Sequence, residues 1–196
     1  KEAVFSLTEL NNLGDIGDIL QNFLVEQAAN ISAKLILQLA DNSLTVAAVW
    51  SILSPFATLD GTKEPIGKSY LFDKLPQLKQ KSITAAVEEF INTRIVTYHE
   101  DTDLYELAHD ALAKRIAEKR SDEEIAVLEV QRLIKSQAAV KDEVRELFTE
   151  KQLLFIEPYL DKIKMNEEEV KWVAKSRRYI LDEKEAEKHR QLRILA

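Results

Sequence analysis

Cysteine is absent from these 196 residues, which rules out a disulfide framework, a thiolate metal site and a thiol nucleophile. A reducing, cytoplasmic setting is the expectation that follows. Glycine and proline are scarce at four residues each, so few positions can interrupt a helix, and the phosphate-cradling pattern G-x-x-x-x-G-K-[ST] does not occur. His-Glu-x-x-His is also missing, as is a serine or cysteine nucleophile in a recognisable elbow. No apolar run is long enough to span a bilayer and no signal peptide opens the chain, so no membrane partner is expected. Taken together, these absences predict a chain that is not an enzyme by itself, with no catalytic residue, no metal site and no cofactor of its own. The opening at Lys1 and the charged end at Ala196 suggest a piece excised from a longer protein.

Apolar residues make up 45% of the chain and charged residues 31%, enough to bury one domain core or two small ones. The charge is unevenly spread. Residues 1–42 hold two basic and six acidic groups, residues 43–108 six and nine, and residues 109–196 nineteen of each. The net charge of −7 therefore lies wholly within the first 108 residues. A protein that tracks nucleic-acid phosphates needs a basic face, so DNA is not an expected partner.

Helical periodicity dominates. Ile16, Ile19, Leu20, Phe23 and Leu24 repeat at i, i+3, i+4, i+7 and i+8, as do Ile83, Ala86, Val87, Phe90 and Ile91. Ile31, Leu35 and Leu39 predict a second early helix with Ser32 as its cap, and Val46, Val49, Trp50, Leu53 and Phe56 a third stripe. Asp60-Gly61-Thr62 reads as a turn and Pro65-Ile66-Gly67 as a short extended link. A short helix over 70–75 is stopped by Pro76, and another follows over 80–93. Two β-rich runs, 94–99 and 104–108, flank the polar turn Glu100-Asp101-Thr102-Asp103, which is a hairpin pattern. Three helices followed by a two-stranded wing is the order of a winged helix. From His109 onward every segment reads as helical. Ser121 with Glu124 and Asn166 with Glu169 are spaced as caps, Met165 and Val170 as a hydrophobic staple, and Val140, Val144, Leu147 and Phe148 as a stripe. Pro158 breaks or kinks the chain. The last helix loses its apolar face between Asp182 and Arg190.

The most informative stretch is Leu104-Tyr105-Glu106-Leu107-Ala108-His109-Asp110-Ala111-Leu112-Ala113, which delivers a histidine from a strand onto the first turn of a helix. From spacing alone, two roles for His109 stay open. It is a structural histidine bonded to a nearby carbonyl or acid, with Asp110 capping the helix, or it lends a ring N–H to an anion across the junction. Other groups read more simply. Glu88-Glu89 and Glu167-Glu168-Glu169 point in different directions around their helices, and His99 and His189 are too far apart to suggest one site. Lys63, Lys68 and Lys74 form a modest basic group, while Lys79 and Lys81 share their helix with Glu88 and Glu89. Trp50 sits on an apolar stripe, and Trp172 with Arg177-Arg178-Tyr179 is a candidate partner surface.

The stretch from 104 to 113 resembles the end of the winged-helix domain in STAND-class signalling NTPases, whose bacterial members carry similar Glu-Leu-Ala-His-Asp-Ala-Leu sequences. Ala108 stands where plant disease-resistance proteins of the class have methionine. Gly14-Asp15-Ile16-Gly17-Asp18-Ile19-Leu20 resembles the segment joining the family's nucleotide-binding core to its winged helix, and Ser176-Arg177 resembles a pair found before its sensor repeats. The resemblance implies a mainly α fold: a small helical subdomain over 1–42, a winged helix over 43–120 and a helical arm over 121–196. It implies that His109 touches the β-phosphate of bound ADP in the full-length protein, where ADP or ATP with Mg would be the cofactors. The partners it implies are an upstream NTPase core and downstream sensor repeats of the same chain. The alternative from another class is a winged-helix transcription regulator with a helical dimerisation arm.

Overall fold

The computed structural model describes residues 16–141 and 144–194. The described chain is mainly α, with eight α-helices and one two-stranded antiparallel sheet. It divides into two compact units, Lys1–Arg120 and Ser121–Ala196. None of the described helices is long and apolar enough to cross a membrane.

The first described element of this unit is α1, Ile16–Leu39. This is one helix where two were expected, and the reason lies in residues 24–32, which contain neither glycine nor proline to interrupt it. Ser32 is therefore an interior residue. It is buried, and its hydroxyl donates to the Leu44 carbonyl at 2.7 Å instead of capping its own helix. The helix ends where Ala40 takes a left-handed φ of 49°, the geometry that glycine usually supplies.

Thr45 then caps α2, Val46–Leu53, by accepting from the Ala48 N–H at 3.2 Å. A 3-10 turn over Ser54–Phe56 follows directly. The expected turn at 60–62 is closed by the Thr58 N–H on the Thr62 carbonyl at 2.8 Å, with Gly61 at a φ of 75° that side chains resist. The expected extended link does more than connect. Ile66 and Tyr105 exchange both backbone hydrogen bonds at 2.9 Å, so Ile66 lies against the hairpin as a third, one-residue strand.

Helices α3, Lys68–Lys74, and α4, Gln80–Asn92, come next. Arg94, at a left-handed φ of 59°, turns the chain out of α4, so β1 covers only Val96–His99. It pairs with β2, Leu104–Leu107, in the register Val96 to Leu107 and His99 to Leu104. Helix α5, Asp110–Glu118, completes the unit.

One core holds these elements. Leu24, Ile31 and Leu35 of α1 join Val49 and Ile52 of α2, Ile83 and Phe90 of α4, Leu107 of β2 and Leu112 and Ile116 of α5. Residues 43–120, expected as a domain of their own, thus share their core with α1. Two polar joints sit inside it. Buried Asp41 accepts from the Ser43 hydroxyl at 2.8 Å and the Ser82 hydroxyl at 2.6 Å, fastening the α1–α2 loop to the start of α4. Buried Arg120 directs its guanidinium to the Ser54 hydroxyl and carbonyl and the Thr58 carbonyl at 2.7–3.1 Å, and also to the Ala57 carbonyl. It thereby satisfies the Ala57 carbonyl and adds a second donor to those of Ser54 and Thr58, which also accept from the Ala57 and Gly61 N–H groups.

The second unit contains α6 over Asp122–Ala138, α7 over Glu150–Ile156, a 3-10 stretch over Glu157–Lys162 with Pro158 near its start, and α8 over Glu167–Ile194. Ser121 and Glu124 form the expected capping box, and Asn166 and Glu169 cap each other reciprocally at 2.9 Å. Thr149 and Gln152 form a further box that the sequence reading did not single out. The expected helical stripe through Val140 and Val144 is not seen: among the described residues between α6 and α7 none is helical, and both valines are exposed. Arg145 claims the segment instead, donating to the Ala138 and Val140 carbonyls at 2.8 and 3.0 Å and so closing the end of α6. Val170 of the expected staple is 47% exposed. Val130, Ile134, Phe148, Leu153, Ile156, Ile163 and Val173 build a core separate from that of the first unit.

Candidate functional site

His109 stands at the junction the sequence indicated, held by backbone bonds on both sides. Just before it, the Ala108 N–H donates to the Ile95 carbonyl at 2.9 Å, continuing the strand pairing by one residue. His109 is itself the N-cap of α5, with extended φ and ψ of −138° and 137°, and its carbonyl accepts from the Leu112 N–H at 3.1 Å. Leu107 and Leu112, both buried, anchor the flanks. The imidazole makes no capping bond and the residue is exposed. Asp110, expected as the cap in the structural reading, is the first helical residue instead.

A chain of charges borders the junction. His99 Nε2 lies 3.3 Å from Glu106 Oε2, Lys63 Nζ lies 3.2 Å from Glu106 Oε1, and the same ammonium lies 3.5 Å from Asp110 Oδ1. The Glu106 hydrogen bond is the chief reason the Lys63 pKa is raised, with both carboxylates adding to it. Lys63 is thus committed to two carboxylates. The amino end of a nine-residue helix attracts an anion, and the one exposed ring there that the fold leaves uncommitted is His109.

The other candidates are dispersed. Lys68 lies over the Tyr105 ring at 5.4 Å and Lys74 over Tyr70 at 5.6 Å, so with Lys63 they have three different partners. At the N-cap of α4, Lys79 approaches Asp41 at 3.6 Å; on the helix itself Lys81 and Glu88 are exposed, and Glu89 pairs with Lys34 of α1 at 2.6 Å. The hairpin turn exposes Glu100, Asp101 and Asp103. Trp50 is half-buried against the first core. Trp172 is flanked by the cations of Arg145 and Lys175 at 4.9 and 4.7 Å, and its ring N–H donates to the Glu146 carbonyl.

Ser176 and Arg177 point to different tasks. Ser176 is fully buried, accepting from the Phe148 N–H at 3.1 Å, while Arg177 pairs with Glu157 at 3.0 Å. His189 is exposed on α8. Of the segment 14–20, Gly14 and Asp15 lie outside the described residues. Gly17 packs under the Arg115 guanidinium, where an added Cβ would sit 1.7 Å from Nη2. Among the described residues, no group of three or more His, Asp or Glu is placed to hold a metal ion.

The sequence reading missed Arg120 and Asp41. Apart from the Ser43 contact, Asp41 meets Lys79 and Ser82 and Arg120 meets Ser54 and Thr58, all far off in sequence, and neither leaves a local pattern. Compared with known proteins, the chain matches no family model, no curated protein and no solved structure. The likeness to STAND-class NTPases therefore rests on the residues that carry it and on their setting.

Proposed function

We propose that this chain is the non-catalytic switch region of a STAND-type signalling NTPase, coupling C-terminal sensor repeats to the nucleotide state of an upstream core. The observation that carries this reading is His109, with its backbone fixed on both sides and its ring exposed and unbonded at the amino end of α5. A residue in that position reports on its neighbour without holding its own fold together. The order helix, short strand, helix, helix, hairpin also supports the reading. Ile66 lies between α2 and α3 and bridges to Tyr105 of β2, an arrangement in keeping with the winged-helix reading.

In this reading the full-length protein carries ADP or ATP with Mg, and His109 touches the β-phosphate of ADP. The contact gives the closed state its differential affinity, and ligand binding at the sensor offsets that difference on opening. A charge-assisted hydrogen bond of this kind is worth roughly 1.5–3 kcal/mol. Replacing His109 by alanine in the full-length protein should therefore speed ADP release and reduce the off state by about ten- to a hundredfold. Stopped-flow release of a fluorescent ADP analogue measures this, and an unchanged rate would overturn the role. The 196-residue chain alone should neither hydrolyse ATP nor bind ADP tightly, which calorimetry checks.

The acidic turn and the paired Glu89 weigh against the DNA-reading alternative. Nanomolar duplex binding that falls steeply with salt would restore it.

A further inference from the structure

We propose that the exposed end of α8 is a self-association surface on which a second copy of this chain docks antiparallel, an interaction separate from the nucleotide switch. From Leu181 through Arg193 every residue of the helix is exposed. Two of them are leucines, Leu181 at 53% and Leu192 at 64% exposure. They stand eleven positions apart, about three turns, and so share one face. Glu185 and Lys188 lie between them at the heptad spacing of four, three and four. Neither makes a hydrogen bond or ion pair in the described structure, whereas Asp182, Glu183 and Lys184 are bound to Arg178, Tyr179 and Glu150.

Charge along this segment is segregated. Asp182, Glu183, Glu185 and Glu187 fall in its first half with Lys184, while Lys188, Arg190 and Arg193 fall in its second half with His189 and no acid. A two-fold axis between positions 186 and 187 sets Leu181 against Leu192 of the second copy and Glu185 against its Lys188, each pair occurring twice. Asp182 then flanks His189 of the second copy. A parallel pair would oppose Glu185 to Glu185 and Lys188 to Lys188, so the charges select the antiparallel arrangement. The leucine layers close the ends of the contact, and the Glu–Lys layers set its register.

Charge exchange provides the test, because these exposed residues can be swapped without touching either core. Sedimentation velocity of the 196-residue chain at low and moderate salt should show its mean mass rising with concentration, less steeply at moderate salt. Glu185→Lys alone or Lys188→Glu alone opposes like charges and should weaken association by at least about tenfold. Mixing the two single variants should restore it as a heterodimer, and the double exchange E185K/K188E should restore it as a homodimer. A chain that stays monomeric throughout would overturn the proposal. So would association that ignores the single exchanges or that mixing does not rescue.

Discussion

The first unit gathers large side chains from each of its described helices, with Leu24, Phe56, Ile83, Phe90, Leu107 and Ile116 among the residues in one continuous buried set. Seven buried apolar residues form the core described for the second unit, so more of its order has to come from elsewhere. Reciprocal caps open α6, α7 and α8, and ion pairs such as Arg177 with Glu157 and Lys184 with Glu150 tie α8 to the 3-10 stretch and to α7. Exposed pairs of this kind contribute little each, and a cap about 1 kcal/mol. One unit is held by apolar area with a few polar joints inside it, the other by a thin core with many small local terms around it. Each unit holds one of the two tryptophans, Trp50 and Trp172, so the contrast can be followed optically with Trp50→Phe or Trp172→Phe as background.

The largest effect belongs to Phe148→Ala. This ring is 2% exposed in the thin core, and its loss should cost about 3–5 kcal/mol, most of the stability open to a unit of that size. Trp172 emission should report an unfolded second unit at room temperature while Trp50 emission still melts cooperatively. A parallel loss at Trp50 would break the comparison. Arg120→Met comes next. It strands the Ala57 carbonyl, takes a second donor from the Ser54 and Thr58 carbonyls, removes charge-assisted bonds worth about 3 kcal/mol together, and should lower the Tm of the first unit by roughly 10–20 °C. Calorimetry should leave the second transition in place.

Acid sharpens the contrast further. The Ser82 hydroxyl, followed by that of Ser43, holds the Asp41 carboxyl down from its ordinary 3.8 to about 2. Because the folded value lies below the unfolded one, this stabilisation is complete above about pH 4 and is lost as the pH falls toward 2. Melting of wild type and Asp41→Asn across that window should converge at the acid end, and parallel curves would show that Asp41 is not the titrating group. The smallest effect is expected for His109→Ala in the 196-residue chain, within about 0.5 kcal/mol. A large fall in its Tm would make His109 a structural residue.

The elements most legible in the sequence are those whose partners lie within a turn or two. The stripe Ile83, Ala86, Val87 and Phe90 faces the core as its spacing requires, and Ser121 and Asn166 find their glutamates three residues on. Thr149 and Gln152 carry the same spacing and could have been read in the same way. Long-range chemistry is silent in a local reading. Ser32 looks like a cap until Leu44 is seen to accept its hydroxyl, and apolar period made a helix of 140–148 because it could not register Arg145 drawing that chain onto the end of α6. For His109 the position was legible from the change of period at the junction. That its ring would remain unbonded was not, since the neighbouring Asp110 pairs with Lys63, a residue 47 positions earlier that no local pattern connects to it.

Arg120 also imposes an order in time. It is the last residue of the first unit, and it bonds groups that precede it by 62–66 positions. At a synthesis rate of about 5–20 residues per second, roughly 3 to 13 s separate the making of Ser54 from that of Arg120. Through that interval the Ser54 and Thr58 carbonyls can accept from the Ala57 and Gly61 N–H groups, but the Ala57 carbonyl still lacks the guanidinium that it bonds in the finished unit. The nascent chain can gather its apolar side chains early, but its polar lock closes only after Arg120 has been added and has cleared the ribosome.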